Sequence, residues 1–382
     1  MTRLLYAIII VCFLDTFVQL PIITPYAIGL GASHALAGSI VAVYSLTNML
    51  GNVVGGHWID QFGRKRMLLV GLCSVAVVLF FYPAMQSGPQ LFVIRMLHGL
   101  AGGILIPAAF AYIGDRTSKK TRGKAMAFTG ASIGTAAIAG PAFGGIMTSL
   151  DKVEWVFIII GILFLLSALL VVKFIPESFT LSERGKVSVG DFVPLLKNPG
   201  VIQASLAAFA LMISNGTLAF ALPLQVEAAG LAPGKTGMLL TIFGLMALVV
   251  FLSPLNRVFE RVRFIPLIFG GLVLISLGLF MLQTMASLNV GIVAMLVYGT
   301  GFAFVFPSMN QLVAAESQKV DRGKAYGIFY AFFSLGAVAG SAMSGAISEA
   351  GRAPFATSAF VMLLGAVLLV ILSALRRPHL LK

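Results

Sequence analysis

Charge is scarce in this chain: Asp and Glu number 13, Lys and Arg 26, and charged residues fill 10% of 382 positions, against roughly 25% in soluble domains. With 59% hydrophobic residues, most of such a polypeptide cannot face water. Cysteine is nearly absent. Cys12 and Cys73 both fall in apolar stretches, without metal-ligand spacing or nearby histidine clusters, which excludes a disulfide scaffold and leaves both as packing residues. There is no nucleophile-base pairing, no metal cluster and no phosphate-cradling glycine loop. Neither an enzyme nor a cofactor or metal site is therefore expected.

Long apolar runs are what the chain has instead. Segments of about 20 apolar residues, enough to cross a ~30 Å hydrocarbon core, recur from end to end. Twelve are expected, near 4–26, 35–57, 67–84, 90–113, 124–148, 154–174, 201–226, 234–256, 264–283, 288–312, 325–347 and 354–375. Barrel strands would read as ~10-residue alternating segments, so the fold class is an all-α membrane protein. The first run follows Arg3 but is too long for a signal peptide, lacks a small-residue cleavage site and contains Asp15, so a retained helix is expected.

The excess of positive charge is one-sided. Arg95 lies within a span, and only Lys152, Lys235 and Arg352 fall in loops on the side opposite residue 1; the remaining 22 of the 26 basic residues lie on the side of the N-terminus. That is the positive-inside bias. It predicts an inner (cytoplasmic) membrane protein with both termini cytoplasmic, and a basic face that attracts anionic membrane lipid. No nucleic-acid partner is needed to explain it.

A repeat with a constant offset of 200 divides the chain. Arg122-Gly123-Lys124-Ala125 recurs as Arg322-Gly323-Lys324-Ala325, Gly99 matches Gly299, Pro107 matches Pro307 and Asp15 falls opposite Asn215. The expected organisation is a six-helix bundle over 1–174, a cytoplasmic linker over 175–200 with a short interfacial helix near its end, and a second six-helix bundle over 201–382. Parallel repeats of this kind place a substrate path near the midplane between the halves.

Three motifs sit in register with these spans. Between spans two and three lie Gly56, Asp60, Gly63, Arg64, Lys65 and Arg66, spaced as G-x-x-x-D-x-x-G-R-K-R. Span four holds Leu91, Arg95, His98, Gly99, Gly102 and Gly103, and span five holds Ala136, Gly140, Pro141, Gly144 and Gly145. Together they resemble the signatures of the major facilitator superfamily, and most of all its twelve-span drug:proton antiporters; the departures are His98 for the usual Gln and Ala136 for a Gly. The resemblance implies a cytoplasmic gate in which Asp60 caps the helix beginning near Ala325, and Arg64 beyond Gly63 pairs with Asp115. It also implies that Gly140-Pro141 with Gly144-Gly145 forms the kinked, closely packed antiporter motif, an asymmetry that favours export over uptake, since the second half has Gly340-Ser341 there.

Asp15 lies roughly eleven residues in from the cytoplasmic edge, near the midplane at ~1.5 Å per residue. A carboxyl there is costly unless paired, hydrated or protonated, which makes Asp15 the leading proton-coupling candidate, with Arg95 and His98 beside it in span four. Depth sets Arg95 about one helical turn above Asp15, leaving room for a bridging water or substrate. Gln19, Tyr44, Asn48, Asn215, Tyr298, Asn310 and Gln311 are candidate polar points of a substrate cavity; each serves equally well as an interhelical hydrogen bond. The expected function is a proton-coupled antiporter that exports drugs or other amphiphilic small molecules by alternating access, as a monomer, with a small-molecule substrate and protons as its ligands. Export or flipping of a specific lipid, siderophore or metabolite stands as the alternative, ahead of a solute importer.

Overall fold

The structure is a computed structural model and describes residues 2–116, 122–177, 193–317 and 322–376. Among the described residues fifteen α-helices follow one another: α1 (Thr2–Val18), α2 (Ile23–Gly29), α3 (His34–Phe62), α4 (Arg64–Phe81), α5 (Gly88–Arg116), α6 (Arg122–Ser149), α7 (Val153–Phe174), α8 (Val193–Leu196), α9 (Pro199–Ala228), α10 (Lys235–Leu252), α11 (Val258–Arg261), α12 (Phe264–Gln283), α13 (Leu288–Glu316), α14 (Arg322–Glu349) and α15 (Pro354–Arg376). No strand occurs among the described residues. Among the described residues eleven helices are long and apolar enough to cross a membrane, and α1 with α2, bent by 48° at their break, pass the same test as a pair, which gives up to twelve. The expected all-α membrane fold is thus the observed one.

Two adjustments to the expected spans have local causes. Span one is broken at residues 19–22, where Pro21 has no N–H to give to a helical ladder. The eighth span stops at Leu252, and Pro254 opens a 3₁₀ turn, Pro254–Arg257, ahead of α11. Elsewhere the helix ends follow capping chemistry. Ser33 accepts from Leu36 N at 3.3 Å at the start of α3, and Asn198 accepts from Gly200 N and Val201 N at 2.9 and 3.3 Å, with Pro199 at the first helical position of α9.

Contacts group the chain into two compact units: Met1–Glu183 with Ala232–Thr241, and Arg184–Leu231 with Ile242–Lys382. In the first, α3 packs along α5, α1 along α6, and α4 against α5 and α7. Small residues set these distances: a Cβ on Gly103 of α5 would stand 2.7 Å from Asn52 N of α3. The start of α10 belongs to this unit, where Gly145 of α6 faces Gly237, and Thr241 Oγ1 approaches the Ile138 carbonyl at 3.3 Å. In the second unit α9 packs along α14, and α12 along α13 and α15.

Candidate functional site

Asp15 occupies the last turns of α1 and is 3% exposed. Three further elements bring polar side chains to it: α3 with Tyr44, the end of α4 with Tyr82, and α5 with Arg95 and His98. Spacing does much of the local work: Arg95 and His98, three residues apart, share a face of α5, and Gln19, in the break just past α1, follows Asp15 by four residues.

Both carboxylate oxygens are engaged. His98 Nε2 lies 3.0 Å from Asp15 Oδ2, and Gln19 Nε2 donates to Oδ1 at 2.7 Å. Arg95 Nη1 donates in turn to Gln19 Oε1. Gln19 therefore fills the place for which sequence reasoning expected a water or substrate: its amide donates to the carboxylate and accepts from the guanidinium, coupling two opposite charges that do not touch. Arg95 also stands 4.3 Å from the centroid of the Tyr44 ring, a cation-π contact, and its Nε–H has no hydrogen-bond partner among the described residues. Tyr44 meets the His98 ring edge-on at 5.2 Å. On the far side of the imidazole, Nδ1 lies 2.9 Å from the Tyr82 hydroxyl.

This is a buried, nearly saturated network joining an acid, a base and an imidazole. Buried polar groups of this kind are costly to leave half satisfied, so every member is held in place by the others. Removing the bridge with Gln19→Leu is expected to lower unfolding free energy by about 1–3 kcal/mol, read as a drop in the midpoint of thermal unfolding in detergent.

The close-packing motif of α6 holds span one at this point. A Cβ on Gly140 would lie 2.7 Å from Phe17 Cβ, and one on Gly144 would run into the Val18 carbonyl and stand 2.9 Å from Pro21 Cγ. These glycines thus press on the residues that flank Gln19, at the break of span one. Pro141 sits inside an unbroken α6. Gly144→Val forces backbone apart rather than a flexible side chain, and is expected to cost more than the usual 1–3 kcal/mol of overpacking, seen as loss of monodisperse protein on size exclusion.

Other candidate residues lie apart from this cluster. Asn48 Nδ2 donates to the Gly99 carbonyl at 3.5 Å, and its Oδ1 accepts from Asn52 at 3.1 Å, which places it in the α3–α5 packing. In the second unit, Ser214 donates its hydroxyl to the Leu211 carbonyl at 2.6 Å, so the Tyr298 hydroxyl, 2.8 Å away, is the donor in that pair; Asn215 is next to it. Asn310 bonds the Phe306 carbonyl of its own helix at 2.8 Å. It lies about 18 Å along α13 from Tyr298 at ~1.5 Å per residue, and Gln311 is exposed.

At the turn between α3 and α4, Gly63 has φ +98°, the left-handed region that favours glycine. Arg64 Nη1 donates to the Ile59 carbonyl at 3.2 Å. The side chains of Asp60 and Asp115, the two acids expected in the gate, lie outside the described residues. An acid that sequence reasoning missed is here: Glu177 Oε1 accepts from the backbone N–H of Arg64 at 3.0 Å and of Lys65 at 3.2 Å, capping the positive end of α4. A Cβ on Gly63 would come within 2.8 Å of Glu177 Oε2. The available signal was Pro176-Glu177 directly after an apolar span, with Tyr112 Oη donating to the Pro176 carbonyl at 2.7 Å. Glu177→Ala is expected to remove a cap of about 0.5–2 kcal/mol, measured as a lower unfolding midpoint that Glu177→Gln only partly restores.

Two repeated sets of apolar helices, with a buried acid tied to titratable and basic partners inside one of them, have the plan of a membrane transporter rather than of an enzyme. The sequence profile of the Major Facilitator Superfamily matches residues 5–319. This chain belongs to that family and is a transporter. It is 25% identical over 376 residues to multidrug resistance protein 2 of Bacillus subtilis, covering 94% of this chain and 91% of that protein. It is 32% identical over 142 residues to multidrug resistance protein 1 of the same organism, covering 37% of this chain and 36% of that one. Among solved structures, a bacterial homologue of the human lysosomal transporter Spinster superposes with a TM-score of 0.77 at 16% identity, over 98% of this chain and 95% of that one, a likeness of fold.

Proposed function

We propose that the protein is a proton-coupled antiporter of the cytoplasmic membrane, with both termini cytoplasmic, which exports drugs or other amphiphilic small molecules by alternating access as a monomer. The observation that carries the reading is the buried Asp15 held by His98 and Gln19, with Arg95 behind Gln19. A carboxylate so enclosed changes its contacts when it takes a proton, and that change is the differential interaction a proton needs to bias a conformational equilibrium. The multidrug-resistance relatives and the span-five motif support export. In this reading Asp60, Gly63, Arg64 and Asp115 form the cytoplasmic gate, Asn48, Asn215, Tyr298, Asn310 and Gln311 supply polar points to the substrate, and anionic membrane lipid meets the basic face.

One proton moving inward across 100 mV releases ~2.3 kcal/mol, about 50-fold in concentration for one-for-one exchange with a neutral substrate. In proteoliposomes, an imposed pH gradient is expected to drive accumulation of amphiphilic dyes, and a protonophore to abolish it. Accumulation indifferent to the gradient would refute the coupling. The unpartnered Arg95 Nε–H favours a second reading, in which the cargo carries an anionic head group; a screen in which anionic amphiphiles compete and cationic or neutral dyes do not would select it.

A further inference from the structure

The hydrogen bonds around His98 continue past Asp15 to a tyrosine that the coupling scheme so far leaves unused. Tyr82 Oη, His98 Nδ1, His98 Nε2 and Asp15 Oδ2 form one line with steps of 2.9 and 3.0 Å. Tyr82 and His98 are fully buried. Tyr82 stands at the end of its span opposite residue 1. There its carbonyl accepts from Tyr26 Oη of α2 at 2.8 Å, and its ring stacks on Phe157 of α7 at 4.2 Å.

The other titratable or charged groups facing this line are few. Arg95 of α5 faces both Tyr82 and Tyr44 of α3, Cys12 lies one turn before Asp15 on α1, and Glu154 of α7 acts on Tyr26 from beyond.

Donor and acceptor counting then constrains the line. With Asp15 ionised, its oxygen accepts from His98 Nε2–H. A neutral imidazole has only a lone pair left at Nδ1, so the Tyr82 hydroxyl must donate to it. One added proton, whether it rests on the carboxyl or on the imidazole, puts a hydrogen on Nδ1, and the Tyr82 oxygen must then accept. A hydroxyl can do both. With the proton on the carboxyl, the arrangement is Asp15 O–H to Nε2 with Nδ1–H to Tyr82.

We infer that Tyr82 is the far terminus of a proton relay, Tyr82–His98–Asp15, and a positioning residue whose hydroxyl reverses its hydrogen bond each time Asp15 takes up or gives up a proton. The inference rests on the reading of Asp15 as the coupling carboxyl. On uptake from the Tyr82 side, the Tyr82 O–H bond breaks as Nδ1–H forms, Nε2–H breaks as the Asp15 O–H forms, and a proton from outside restores the tyrosine hydroxyl. One proton enters, the imidazole exchanges tautomers, and no electrons are gained or lost.

Tyr82→Phe removes the acceptor for Nδ1–H in the protonated form, and only a donor to a lone pair in the other. Because a bare buried N–H costs more than a bare lone pair, the pH of half-maximal proton-driven transport is expected to fall by about one unit, tenfold in proton concentration. His98→Gln breaks the line one step earlier, so Tyr82→Phe on that background should shift nothing further. An unshifted Tyr82→Phe profile beside an Asp15→Asn protein that has lost proton drive overturns the relay and leaves the coupling reading standing; an Asp15→Asn protein with full proton dependence overturns both. If Tyr82→Phe does not fold, ¹⁵N-histidine spectra of the wild type, with His98→Gln to assign the signal, decide instead. The relay predicts the Nε2–H tautomer at high pH and Nδ1–H on acidification, and an Nδ1 signal that ignores pH contradicts it.

Discussion

Asp15→Asn is expected to leave a folded protein that exchanges substrate down its gradient but has lost the whole of its ~50-fold proton-driven accumulation. Asparagine keeps the shape of aspartate and presents one oxygen and one amide nitrogen. Gln19 already donates to Oδ1 and is fixed in that orientation by Arg95, so the asparagine nitrogen must take the side of His98. There it donates to Nε2, and the imidazole turns Nδ1–H toward Tyr82. The substitution therefore imitates the protonated cluster, satisfied but unable to release a proton. Counterflow of labelled substrate in proteoliposomes separates the two outcomes: preserved counterflow with no response to a pH gradient is the expected result, and a full response refutes the role of Asp15.

Arg95→Met is expected to be the most damaging single change to stability, at about 3–5 kcal/mol, because it leaves a buried carboxylate without its compensating charge. Arg95 is 5% exposed, so bulk solvent does not substitute for its charge. Adding Asp15→Asn to Arg95→Met removes both charges at once, and replacement of a buried pair by neutral groups is close to neutral in free energy. Thermal unfolding in detergent should thus show a double variant more stable than Arg95→Met alone. A double variant that is worse than either single change would mean that the two side chains are not coupled.

The spans were legible in the sequence because hydropathy reports burial in lipid directly. The break in span one was half legible, because Pro21 inside that run has no N–H for a helical ladder. Asp15, Arg95 and His98 stood out because a charge or an imidazole in an apolar run is conspicuous by itself. What they bond to was not legible, since register between helices depends on packing that a single chain does not display. Gln19 shows the difference: its nearness to Asp15 follows from spacing, whereas its reach to Arg95, 76 residues away, depends on how closely α1 meets α5. Tyr82 carried no signal at all, being one aromatic among many at a helix end, and only the imidazole beside it gives it a role. Glu177 carried a weak one, an acid just outside a span, and its contact with the turn at Gly63 appears only when α7 has returned beside α4.

Substrate-induced proton release, followed with a pH indicator in weakly buffered detergent solution, tests the central claim most directly, because linkage requires that a substrate coupled to protons change the number bound. The account predicts release of about one proton per substrate bound by the wild type and none by Asp15→Asn; equal release by both proteins would contradict it.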